Sequence, residues 1–128
     1  PVQVEDVRQH QMHTERCIIT PNTAARLNIK KGVKRRICVG TTSCRTVESA
    51  ATPQGLITPG SFDTNIFIYP GYEFRWMQGL LTNFHLPGST LMMLVSAFAG
   101  YDLIMEAYRK AVKDKYRFYS YGDAMLII

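Results

Sequence analysis

The densest run of reactive side chains is TNFHLPGST at residues 82–90. Thr82, Asn83 and His85 set a hydroxyl, an amide and an imidazole within four residues, and Ser89 and Thr90 follow Pro87 and Gly88. Imidazole is the side chain whose ordinary pKa suits proton transfer near neutral pH, and a neighbouring hydroxyl or amide can orient it or a ligand. The next residues, LMMLVSAFA, are apolar and stop at Gly100. This spacing predicts a buried helix capped by Ser89 or Thr90 and ended by Gly100. Its first-turn amides and dipole favour negative charge, as at sites that hold an anion or a nucleotide. A turn, a cap and a core helix with nothing bound fit the same residues equally well.

Two further clusters carry groups of the right kind. Residues 36–40, RICVG, read as a short buried strand; Thr41, Thr42 and Ser43 follow as a turn, and a helix is expected over 44–51. Strand, glycine, hydroxyl-rich turn and helix is the order found at many α/β ligand sites, at the carboxyl edge of the sheet. Arg45, one turn into that helix, is spaced to reach a carboxylate or phosphate. The G-x-x-x-x-G-K spacing of a P-loop is missing, and nothing near Cys44 in sequence activates its thiol, so Cys44 reads as a small packed residue. The third cluster is His10, His13 and Glu15. Two imidazoles three residues apart with a carboxylate lack an identifiable fourth ligand, so no metal is expected, and His13 with Glu15 reads as an acid/base or substrate-gripping pair.

The elements that must position these groups follow from periodicity and breakers. A strand is expected at residues 17–20 and a helix at 24–29, with Asn22 or Thr23 as its cap; the basic run 30–36 reads as a solvated face. Residues 52–64, rich in Pro, Gly, Ser and Thr, read as a flexible loop or lid. Strands are expected at 65–69 and 73–81 as a hairpin about Pro70-Gly71, an amphipathic helix at 101–115, and two short strands about Gly122-Asp123. The sum is one α/β domain over residues 1–128, three-layered with a mixed sheet. The 128 residues suffice for one modest core. A charged fraction of 20% and a net charge of +5 are compatible with a nucleic-acid partner. Three cysteines without paired spacing argue for a reducing compartment, and the longest apolar run is too short to cross a membrane, so a cytoplasmic protein is expected. The chain opens on Pro1 and closes on an apolar run, which suggests that it is part of something longer.

Taken together, GTTSCRTVES, IFIYPGY, TNFHLPGSTLMMLVSAFAG and YRFYSYGDAMLI, with PVQVEDVRQHQMHTE ahead of them, resemble the S-adenosylmethionine:tRNA ribosyltransferase-isomerase family over the whole chain, in the expected order. The resemblance is to the C-terminal portion; the family's separate β-barrel domain is absent from this chain. It implies a tRNA-modifying enzyme of queuosine synthesis. Such an enzyme moves the ribosyl group of S-adenosylmethionine onto 7-aminomethyl-7-deazaguanine at the tRNA wobble position and isomerises it, giving epoxyqueuosine. S-adenosylmethionine is then a co-substrate; no cofactor, metal or membrane is implied, and a monomer is expected. On this resemblance His85, His13 and Glu15 are the catalytic candidates. Thr41, Thr42, Ser43 and Arg45 suit the donor's amino-acid part or ribose hydroxyls. Tyr69, Pro70 and Gly71 suit a wall for a flat base, while Thr82, Asn83, Phe84 and Ser89 suit orientation of His85 and ligand. Gln78 stands where an acidic residue is expected. The other reading is a truncated, non-catalytic nucleotide- or tRNA-binding module of the same fold.

Overall fold

The computed structural model describes residues 12–85, 88–118 and 122–128. Their order is β1 (Glu15–Ile19), α1 (Pro21–Leu27), β2 (Ile37–Val39), α2 (Thr41–Ala50), β3 (Gly60–Thr64), β4 (Gly79–Asn83), α3 (Thr90–Ala99), α4 (Tyr101–Lys113) and β5 (Ala124–Ile127). β1 and β3 form an antiparallel pair, with Cys17 opposite Phe62. The second sheet has the order β2-β4-β5 and is mixed: β2 runs parallel to β4, and β5 antiparallel to it. The α/β class with a mixed sheet is as expected. α2 touches β2, β4 and β3, so it packs between the two sheets. Ile68, Leu80, Met92, Val95 and Ile104 are almost wholly buried in the core that joins them.

Local chemistry moves several boundaries. α1 starts at Pro21 because Thr20 accepts the Thr23 amide, and proline at the first helical position lacks only an N–H that would go unpaired anyway. α2 starts at Thr41, since Gly40 at φ +90° turns the chain straight out of β2. Ser89 caps α3 by accepting from the Met92 amide. Gly100, at φ +97°, both closes α3 and opens α4, and the two helices bend by 116° there. Among the described residues no single helix is long and apolar enough to cross a membrane.

Several expectations fail, most of them because side chains take up backbone groups. Residues 65–69 form no ladder: the Ile66 amide donates to Thr64 Oγ1 and its carbonyl accepts from Arg45 Nε. The expected strand at 73–81 begins only at Gly79. Upstream, the amides of Arg75, Trp76 and Met77 donate to the Glu48 carboxylate at 2.8, 2.9 and 3.0 Å, and Tyr72 donates its hydroxyl at 2.9 Å. No hairpin therefore forms about Pro70-Gly71; the pair makes a tight turn in which the Tyr72 amide donates to the Tyr69 carbonyl. The 52–64 segment is no free lid, since it contains β3 and Asn28 grips both backbone groups of Ile57. Near the end of the chain, Asp123 ties back to Arg117 and β5 pairs with β4; the strand expected just ahead of Gly122 lies partly outside the described residues.

Glu48 is 1% exposed. Desolvating a carboxylate costs several kcal/mol, and four donors at about 1.5–3 kcal/mol each for bonds to a charged group offset that cost. A glutamine in its place would point an amide N–H at a backbone N–H. Glu48→Gln is therefore expected to destabilise the fold by about 2–4 kcal/mol in urea denaturation. A loss under about 0.5 kcal/mol would show that the 72–77 segment is held by something else.

Candidate active site

Parallel pairing of β2 with β4 brings their carboxyl ends side by side, and the Gly40 amide continues the ladder to the Leu81 carbonyl at 2.8 Å. The chain leaves β2 into α2 and leaves β4 toward α3. Two helix N-termini and two strand ends thereby converge on a cleft of about 570 Å³. Val39 to Ser43 form one wall, Thr82 to His85 another, and Ser89 with Leu91 the third. No side chain caps α2, whereas the Ser89 hydroxyl is spent on capping α3. The first-turn amides of α2 are thus the ones left for a ligand, at the positive end of the helix dipole.

His85 is half-buried and held from two sides. Its Nε2 lies 2.8 Å from Thr82 Oγ1, and its backbone N–H donates to the Tyr108 hydroxyl at 2.8 Å. Tyr108 sits on α4 and is itself buried; its ring meets Phe84 edge-on at 5.3 Å, and Phe118 packs against both. The residues flanking the imidazole are therefore fixed by an aromatic cluster. Burial disfavours the charged ring and lowers the His85 pKa below the usual imidazole value. At neutral pH the ring is uncharged and able to accept a proton. Burial, aided by Glu48, pushes the Cys38 thiol up to about 12, and raises Cys44 also, so neither supplies a thiolate.

Comparison with known proteins decides the relationship. The family model described as queuosine biosynthesis protein matches residues 1–127. The chain belongs to that family. It is 57% identical to the S-adenosylmethionine:tRNA ribosyltransferase-isomerase of Symbiobacterium thermophilum, a match that covers 100% of this chain and 38% of that protein. It is 55% identical to the protein of the same name from Geobacter metallireducens, covering 99% of this chain and 37% of the other. A crystal structure of S-adenosylmethionine tRNA ribosyltransferase from Thermotoga maritima superposes with a TM-score of 0.77 at 47% identity, over 90% of this chain and 40% of that one. The chain thus spans less than half the length of these family members.

Of the residues singled out in the sequence, Thr41, Thr42, Ser43, Thr82, Asn83, Phe84, His85 and Ser89 all line the one cleft. Arg45 does not. It is 4% exposed, with Nη1 at 2.6 Å from Glu15 Oε1, so it fastens α2 to β1. Glu15 is engaged in that ion pair, and His13 is exposed just ahead of β1; His10 lies outside the described residues. Tyr69, Pro70 and Gly71 form the tight turn described above, outside the lining of the cleft, with Tyr69 against Phe67 at 5.2 Å. Gln78 is not in the cleft either. Its Oε1 accepts the Arg36 backbone amide and its backbone amide donates to the Arg36 carbonyl, leading into the β2–β4 ladder. Sequence reasoning passed over Tyr108 and Glu48; a tyrosine at helical spacing and a glutamate in a helix carry no local sign of their distant partners.

The depressed His85 pKa makes a direct prediction. The unfolded chain binds this proton more readily than the folded one. The stability that comes from a neutral His85 is thus complete above about 6.5 and is lost as pH falls through the folded value. In a pH titration followed by NMR, the His85 ring should titrate below about 6.5; a midpoint at or above that value would contradict its burial. Tyr108→Phe, which leaves the His85 amide without its acceptor, should lower stability by about 1–2 kcal/mol.

Proposed function

We propose that this chain is the His85-bearing portion of an S-adenosylmethionine:tRNA ribosyltransferase-isomerase, acting on tRNA in the cytoplasm. In this reading the ribosyl group of S-adenosylmethionine is transferred to 7-aminomethyl-7-deazaguanine at the wobble position and isomerised. The products are epoxyqueuosine, adenine and methionine. The single observation that carries the reading is a neutral imidazole, held at Nε2 by Thr82 and through its backbone by Tyr108, in the lining of a cleft into which two helix N-termini open.

The residues suit the steps. The uncapped amides of α2 and the hydroxyls of Thr41, Thr42 and Ser43 can receive the carboxylate or ribose hydroxyls of the donor. A carbon next to a sulfonium carries an acidic hydrogen, and removing it needs a base in its unprotonated form, which for imidazole is the neutral ring. Burial keeps His85 in that form at neutral pH. In the tautomer whose Nε2–H donates to Thr82 Oγ1, Nδ1 is the basic nitrogen that takes the proton, and the protonated ring can then assist the departure of adenine. The overall charge of +5 suits a polyanionic partner.

A chimera tests the reading, with residues 1–128 replacing the matching portion of the full-length Symbiobacterium thermophilum relative. The parent chimera should be active, and His85→Ala should lower kcat by about 10²–10⁴-fold. The donor KM should stay within about threefold. The parent chimera's kcat/KM should rise with pH to a plateau, with the inflection below about 6.5. Full activity of the variant would remove His85 from the chemistry. A parent chimera that binds donor or tRNA without turnover would favour the binding-module reading.

A further inference from the structure

One face of the β2-β4-β5 sheet is packed on the core through Cys38, Leu80 and Thr82. The other is bare and aliphatic. Val39, Leu81 and Leu126 lie side by side across the three strands, because Val39 pairs with Leu81 and Leu81 with Leu126. They are 67%, 36% and 55% exposed. In the next row Ile37 and Ile128 flank Gly79; a Cβ there would come 3.0 Å from Ile37 Cγ1 and 3.3 Å from Ile128 Cγ2. A sheet with polar residues outward needs no second layer, but one with aliphatic residues on both faces does.

From this face we infer a docking surface for the part of the polypeptide that this chain's relatives carry and this sequence does not match. Three observations choose that occupant. More than half of each relative lies outside the match, 62% of the Symbiobacterium thermophilum protein among them (100 − 38). The bare area is on the order of a few hundred Å², short of the roughly 800 Å² per partner that a stable dimer needs. A segment joined to the same chain needs far less, since its effective concentration is of millimolar order. The face is also continuous with the cleft: Val39 belongs to both. The cover therefore borders the site. The inference rests on the family relationship and not on the proposed reaction.

Cysteine accessibility tests it. The native Cys17, Cys38 and Cys44 are all free and buried, so in this chain a new surface thiol reports alone, and in the chimera it is read on its own peptide. Leu126→Cys, with Val39→Cys as a second variant should the first not fold, is treated with a maleimide and followed by mass spectrometry. The reaction is run in this chain and in the chimera, at several protein concentrations and without donor or tRNA. The inference expects fast modification in this chain and modification at least about 10-fold slower in the chimera, at every concentration. Equal rates in the two proteins would overturn it. So would protection within this chain alone, whether growing with concentration, as a second copy on the face would give, or independent of it. Because no turnover is read, an inactive chimera would count against the reaction and not against the surface.

Discussion

The Glu48 carboxylate is the point on which this architecture turns. It hangs from the buried face of α2 and gathers three successive amides and a tyrosine hydroxyl from the 72–77 segment. A charge so deeply buried is tolerable only with its acceptor positions filled, and here they are filled by backbone that is thereby denied to a strand. The result is positional. β4 can begin only at Gly79, after the last captured amide, and so enters the sheet in register with β2. Arg36 adds a second clasp, donating its Nε to the Trp76 carbonyl at 2.7 Å with its guanidinium 5.5 Å from that indole. The helix that carries Glu48 is the same helix whose first turn forms a wall of the cleft.

That coupling explains how a short chain makes a defined site. Arg45 and Glu48 are three residues apart on α2. One reaches β1 through Glu15 and the other reaches the segment before β4. α2 is thus pinned to both sheets by charged groups, while Cys44 beside Arg45 is wholly buried. With α2 fixed, Thr41 to Ser43 face the residues that leave β4. On the far side Tyr108 does the same work for His85: α4 delivers a hydroxyl to a backbone amide, and packed aromatic rings resist its displacement. The imidazole is therefore oriented by Thr82 within the cleft, and its backbone by Tyr108 outside the cleft lining. Its neutral state follows from the burial that this scaffold imposes.

Much of the site was readable from residue types at element ends. A strand followed by Gly40 and three hydroxyl residues, and a His85 just ahead of a capped helix, are local signals, and parallel pairing then brings the two together. The rest was not legible because it depends on long-range partners. Nothing in VESA says that Glu48 will consume the amides of residues 75–77, so an aromatic-rich run looked like a hairpin. Nothing in SCRT says that Arg45 will turn toward Glu15 rather than toward a ligand. The 52–64 segment has the composition of a loop, yet Asn28, 29 residues before Ile57, binds that residue's backbone on both sides. Side chains that capture backbone groups across tens of residues leave no periodicity behind.

The central claim is that the cleft between the ends of β2 and β4 receives the ribosyl donor with His85 against its reacting carbon. A crystal structure of the chimera with S-adenosylmethionine bound tests this most directly. The account predicts the donor in that cleft, its carboxylate or ribose hydroxyls within hydrogen-bond reach of residues 41–43, and a His85 ring nitrogen within about 3.5 Å of the carbon beside the sulfonium. A donor held elsewhere, with the cleft filled only by water, would contradict it.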